Sequence, residues 1–140
     1  LNGVNRQLSM IIKSDEYAVK TKAENVIAFV SKPANLIQLL PQDQIENWAS
    51  TEQGCSFKIK GLAHITLAVG EITSNQIVYK SAAEKPFPFK LIFIRGQSLD
   101  GSTIIAEFNP EVNAFMATML KSPMTNFLNH LGQSAQAKYA

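Results

Sequence analysis

The feature that most constrains this chain is a change of hydrophobic period. From Trp48 to Phe108 apolar residues recur at every second position, with turn residues roughly every ten positions, the pattern of consecutive antiparallel strands. The run CSFKIKGLAHITLAV places Cys55, Phe57, Ile59, Ala63, Ile65, Leu67 and Val69 on odd positions. A hairpin with an odd loop centred on Gly61 keeps them on one face, pairing Ile59 with Ala63, Phe57 with Ile65 and Cys55 with Leu67. That register sends His64 to the other face, beside Lys58 and Lys60, and so separates it from Cys55 as a catalytic partner.

A second hairpin is marked in FKLIFIRGQSLDGSTIIAEF by Asp100-Gly101, because both central residues of a type I′ turn need positive φ. Closure there predicts pairs of Leu99 with Ser102, Gln97 with Ile104, Arg95 with Ala106 and Phe93 with Phe108. One face then carries Phe89, Leu91, Phe93, Ile104, Ala106 and Phe108, and its aromatic bulk makes it the expected interior. Lys90, Ile92, Ile94, Ile105 and Glu107 take the outside; the inverse choice would turn Glu107 in and Arg95 out.

Before this run, SMIIKSDEYAVKT predicts a first strand near residues 10–20. Thr21 and Glu24 then have capping-box spacing for a helix carrying Val26, Ile27, Phe29 and Val30. Pro33 stops that helix and opens a second short helical turn, PANLIQLLP, closed by Pro41. After the strands comes one long helix. Asn109-Pro110-Glu111 offers a cap, a proline at the first helical position and an early acid, and is preferred as the start over Asn113.

Within that helix Val112, Phe115, Met116, Met119 and Leu120 point one way, and Met124, Phe127, Leu128 and Leu131 about a quarter-turn away. Pro123 lies between the two groups and predicts a bend that re-aims the second, with Ser122 capping the second helical segment. Met116 and Met119, flexible thioethers ahead of the bend, fit an adaptable apolar pocket.

The 140 residues suffice for one domain with a sizeable core, and 46% hydrophobic against 17% charged residues is ordinary for a globular chain. A net charge of +2 provides no broad positive field for nucleic acid. Lys58, Lys60, Lys80 and Lys90 lack interleaved aromatics and read as a solvated face. A lone Cys55 gives no intramolecular disulfide, and His64 and His130 lack metal-ligand spacing, so no metal and no cofactor is expected. The lone cysteine makes a reducing, cytoplasmic setting the default, and no apolar run has the length of a membrane span. Phosphate-binding Gly loops, G-x-S-x-G, H-E-x-x-H and C-x-x-C motifs are absent from the sequence. Residues 1–9 are set aside as an extension or a trimmed start, leaving residues 10–140 as the domain.

The order strand, two short helices, about six antiparallel strands and a long final helix resembles the START/polyketide-cyclase (SRPBCC) superfamily. The resemblance is carried by YAVKTKAENVIAFVSKPANLIQLLP at 17–41, CSFKIKGLAHITLAVGEITSNQIVYKS at 55–81 and NAFMATMLKSPMTNFLNHL at 113–131. The chain is similar in particular to short SRPBCC proteins of unassigned function from Bacteroidetes-type bacteria. The resemblance implies an α+β helix-grip fold, a curved antiparallel sheet of six or seven strands around the last helix, enclosing an apolar cavity. Its members bind lipids, sterols, hormones or polyketides, catalyse cyclisation or hydrolysis, or bind proteins, and share no catalytic set that could be carried over.

The expected function is therefore binding of a small apolar or amphipathic, lipid-like or polyketide-like ligand between sheet and final helix. The candidate wall is Phe57, Ile65, Leu67, Leu91, Phe93, Met116 and Met119, with Arg95 as a polar handle for a carboxylate or phosphate. A cavity enzyme of cyclase, dehydratase or hydrolase type, and a protein-interaction module, are the alternatives; a homodimer is left open. Cys55, Trp48 and Tyr79 read as packing residues.

Overall fold

The computed structural model describes residues 8–140. Residues 1–7 of the expected extension lie outside the described residues. Among the described residues nine strands form one antiparallel sheet: β1 (Leu8–Ser9), β2 (Ile12–Lys13), β3 (Tyr17–Val19), β4 (Ile45–Ser50), β5 (Gly54–Ile59), β6 (Ala63–Ile72), β7 (Gln76–Ser81), β8 (Phe89–Ser98) and β9 (Gly101–Val112). The spatial order is β1-β9-β8-β7-β6-β5-β4, with β2 and β3 also pairing with β9. Helix α1 (Ala23–Val30) and two 3-10 turns, Pro33–Gln38 and Gln42–Gln44, separate β3 from β4, and α2 (Ala114–Lys138) closes the chain. The curved sheet wraps around α2 in the expected α+β helix-grip arrangement.

The first strand is broken into three short pieces along β9. At the second break the side chain of Ser14 takes over a ladder position: Ser14 N–H donates to Ala106 O at 2.9 Å, and Ala106 N–H donates to Ser14 Oγ at 2.9 Å. A hydroxyl standing in for a backbone carbonyl satisfies the partner while the strand irregularity passes.

The β5–β6 hairpin has the register expected from alternation, with Cys55 opposite Leu67, Phe57 opposite Ile65 and Ile59 opposite Ala63. His64 pairs with Lys58 on the other face. Gly61 in the connecting loop has φ +73°, the left-handed conformation that favours glycine.

The β8–β9 hairpin differs from expectation by two positions. Ser98 pairs with Gly101, Gln97 with Ser102, Arg95 with Ile104, Phe93 with Ala106 and Leu91 with Phe108. The two-residue loop is Leu99-Asp100, and neither has positive φ; Asn47 at 57° is the one non-glycine with positive φ among the described residues. Gly101 instead opens β9 at φ +153°, where a Cβ would stand 2.6 Å from Val19 O. The glycine answers a close backbone approach rather than a type I′ turn. Because the slip is even, it leaves the faces unchanged, and Phe89, Leu91, Phe93, Ile104, Ala106 and Phe108 are all buried.

The capping box at Thr21 does not form. Lys22 is the N-cap of α1 without a side-chain bond, and Thr21 Oγ1 accepts from Asn25 Nδ2 at 2.9 Å. Thr21 is held in the turn that leaves β3, its N–H bonded to Val19 O and its carbonyl accepting from Ser102 Oγ, each at 2.9 Å. Val26, Ile27 and Val30 of α1 are buried, and Tyr79 Oη donates to Val30 O at 2.5 Å, fixing the helix to the middle of β7.

Asn109 is not the start of the final helix. Residues 109–112 are drawn into the sheet from both sides: Asn109 pairs with Lys90 and Pro110 with Phe89, while Val112 and Glu111 pair with Leu8 and Ser9. Two-sided pairing outweighs one favourable cap, and Asn113 performs the capping, its Oδ1 accepting from Met116 N–H at 2.8 Å.

Helix α2 then runs through Pro123 without restarting at Ser122. The proline lies on the exposed side of the helix. Ala117, Leu120, Met124, Leu128, Leu131 and Ala135 form one buried stripe across it. Of the expected stripe ahead of the proline, Val112 and Leu120 are buried, whereas Phe115, Met116 and Met119 are 74%, 39% and 59% exposed. Starting at Asn113, the helix turns small Ala117 toward the sheet and leaves the larger side chains at its rim.

Candidate functional site

The space between the sheet and α2 is largely filled. Phe57, Leu67, Leu91 and Phe127 surround an interior gap of only about 20 Å³, room for about one water. Phe89 and Phe108 pack with tilted rings, centroids 5.0 Å apart, and Trp48 stacks on Phe57 at 6.0 Å, consolidating this inner floor.

At the mouth, the space widens into an apolar groove of about 310 Å³. One wall is Leu62, Ala63 and Ile65 from the β5–β6 turn and the start of β6; Pro86 and Phe87, before β8, form the end. Met116, Met119 and Leu120 of the first turns of α2 supply the other wall. Ile65, Phe108 and Met124 border both the groove and the inner gap, so the two are separated by side chains alone. The lining of the groove contains no ionisable side chain.

The structure distributes the candidate wall over several surroundings. Phe57, Leu67 and Leu91 border the inner gap, Met116 and Met119 the groove, and Ile65 both. Phe93 packs edge-on at 6.3 Å against Tyr79, the residue whose hydroxyl is bonded to Val30 O of α1. Arg95 lies farther along β8, six residues or about 20 Å from Phe89, in a different groove beside α1. Glu107 is on the outer face opposite Ile92 and Lys13, yet only 8% exposed. Alternation places it outward but does not report how closely its cross-strand neighbours cover it. Leu62 and Phe87 escaped sequence reading because they sit in a turn and a loop, where no period identifies a face.

Cys55 is buried, and burial pushes its thiol up to about 12, which leaves no thiolate at neutral pH. Burial, and secondarily the nearby Cys55, also raises the Tyr79 phenol. Among the described residues no group of three or more His, Cys, Asp and Glu gathers to hold a metal. No helix among them is long and apolar enough to cross a membrane.

A truncated norcoclaurine synthase from Thalictrum flavum superposes with a TM-score of 0.74 at 12% identity, covering 99% of this chain and 97% of the synthase. A START superfamily protein from Mycobacterium smegmatis gives 0.66 at 17% identity, covering 95% and 96% of the two chains. The fold is START-like. The same START-like domain matches the di-domain ARO/CYC StfQ of the steffimycin biosynthetic pathway, with a TM-score of 0.63 at 8% identity, over 92% of this chain and 50% of that one. No family model and no curated protein sequence matches the chain. The same fold thus occurs in proteins with different names and activities, and identities this low carry the fold alone.

Proposed function

We propose that this START-like domain binds a small apolar or amphipathic molecule in the groove between the β5–β6 turn, Phe87 and the first turns of α2. The observation that carries this reading is the apolar groove itself, about 310 Å³, open to solvent beside exposed methionines and backed by the aromatic floor of the sheet. Its size falls at the lower end of the roughly 300–1,000 Å³ typical of ligand sites. Two unbranched thioethers at the rim conform to ligands of differing shape at little cost. Affinity would come mainly from apolar burial, at about 25 cal/mol per Å² removed from water. A ligand longer than the groove has to turn Met124 aside to reach the inner gap.

The lining favours binding over proton-transfer catalysis, because it offers neither an acid nor a base. A partner protein covering the same rim is the second reading, supported by the exposure of Phe115 and Leu62.

Native mass spectrometry of the freshly purified protein, with thermal shifts against a panel of fatty acids and sterols, tests the proposal. Retained small molecules, or a ligand-dependent rise in Tm that Ala63→Trp abolishes, are expected. Absence of both in the native protein would overturn it.

A further inference from the structure

Arg95 does not serve the apolar groove, and its surroundings have a chemistry of their own. The face Ala23, Glu24, Ile27 and Ala28 of α1, with Ser31 at its C-cap, stands across an open groove of about 470 Å³ from Ile72 at the end of β6, Ser74 in the β6–β7 turn, and Arg95 and Gln97 toward the end of β8. Spacings of one, four, five and eight residues put these α1 positions on one side of the helix, and the small Ala23, Ala28 and Ser31 keep the groove open.

The guanidinium is held in place. Arg95 Nε–H donates to Ser74 O at 2.8 Å, and Arg95 N–H donates to Asn75 O at 2.9 Å, so strand end and side chain are both tied to the β6–β7 turn. That bond uses the inner edge of the fork. The terminal amino groups make no hydrogen bond and no ion pair among the described residues. An oriented guanidinium with free terminal donors is prepared for the two parallel bonds that a carboxylate accepts. Beside it, Ile72 is a large exposed apolar residue and Ile27 forms the floor. Glu24, on the opposite wall, puts negative charge in the same groove and disfavours a multiply charged anion.

We propose that this groove is a second binding site, separate from the apolar one, for a small organic monocarboxylate with an apolar body. The carboxylate bridges the Arg95 terminal amino groups, and the body lies over Ile27 and Ile72. Inorganic dianions are rejected by Glu24 and by the lack of further cationic groups in the lining.

The test is NMR titration of the intact protein with hexanoate, hexanol and inorganic phosphate in parallel. Isoleucine methyl signals of Ile27 and Ile72 and the Arg95 Nε–H signal report this groove; Met116 and Met119 methyl signals report the other. Saturable shifts at Ile27, Ile72 and Arg95 are expected with hexanoate, with at least tenfold weaker responses to hexanol and phosphate. Arg95→Gln should weaken the hexanoate response at least tenfold while Met116 and Met119 are unaffected. Arg95→Lys, which keeps the charge but loses the fork, should weaken it severalfold, and Glu24→Gln should strengthen it. Equal response to hexanol, or full retention in Arg95→Gln, would overturn the site whatever happens at the methionines.

Discussion

The phenol of Tyr17 donates to Asn129 Oδ1 at 2.9 Å while its ring lies against Gly132, so one residue of β3 clasps two residues of α2. Asp15 N–H donates to the same Asn129 oxygen at 2.8 Å. The clasp anchors the C-terminal half of α2 to the strand pieces along β9, and the first half, ahead of Pro123, forms the groove wall. A methyl group on Gly132 would overlap Tyr17 Cδ2 and Cε2. Gly132→Ala should therefore destabilise by about 1–3 kcal/mol through overpacking, although alanine is the better helix former by about 1 kcal/mol. Urea denaturation measures it, and the cost should shrink when Tyr17→Ala is combined with it. Asn129→Ala should cost about 1–3 kcal/mol, because it removes one acceptor from two donors.

Three methionines in α2 should respond differently to one substitution. Met124 is 4% exposed and touches both the inner gap and the groove, so Met124→Ala should lower stability by about 2–5 kcal/mol. Met116 and Met119 stand at the rim, and their alanine variants should change stability by less than about 1 kcal/mol while weakening uptake of any apolar ligand. Chemical denaturation and thermal shift with ligand separate the two effects.

The Cys55 thiol, raised from 9.0 to about 12, makes the protein lose stability in alkali. The unfolded thiol ionises first, so the contribution is fully present below about pH 9 and disappears as pH rises toward about 12. The raised Tyr79 phenol acts in the same direction. Urea midpoints between pH 8 and 11 should fall less steeply for Cys55→Ala than for the native protein. Native Cys55 should also resist iodoacetamide at pH 7.5 and react once urea unfolds the chain.

Gly101 should tolerate no side chain. Its φ of +153° and the nearby Val19 O and Thr21 backbone make Gly101→Ala destabilising by about 1–3 kcal/mol. Asp100→Ala, in an exposed loop without positive φ, should be close to neutral by the same denaturation measurement. The reverse ranking would return the turn to Asp100-Gly101.

Much of the sheet is legible from sequence because alternation is a local property. Phe57 and Ile65 share a face whatever the rest of the chain does, and loop parity around Gly61 then dictates their pairing. Even the misplaced β8–β9 turn kept Phe93 and Ala106 inside, since a slip of two positions preserves the face. The burial of Met124, Phe127 and Leu128 is likewise written in helical spacing.

Other features depend on partners far away in the chain. Asn109 has a good local cap sequence but is held in β9 by pairing with β8, and the helix waits for Asn113. Ser14 interrupts its strand because Ala106, ninety-two residues later, donates its N–H to the serine hydroxyl in the ladder. Period reports which residues point the same way, but not how far along a strand they stand or which helix covers them. The sequence by itself therefore determined the faces and the helix-grip order. Tertiary packing alone decided that Met116 and Met119 rim one groove while Arg95, on the same sheet face, lies at another beside α1.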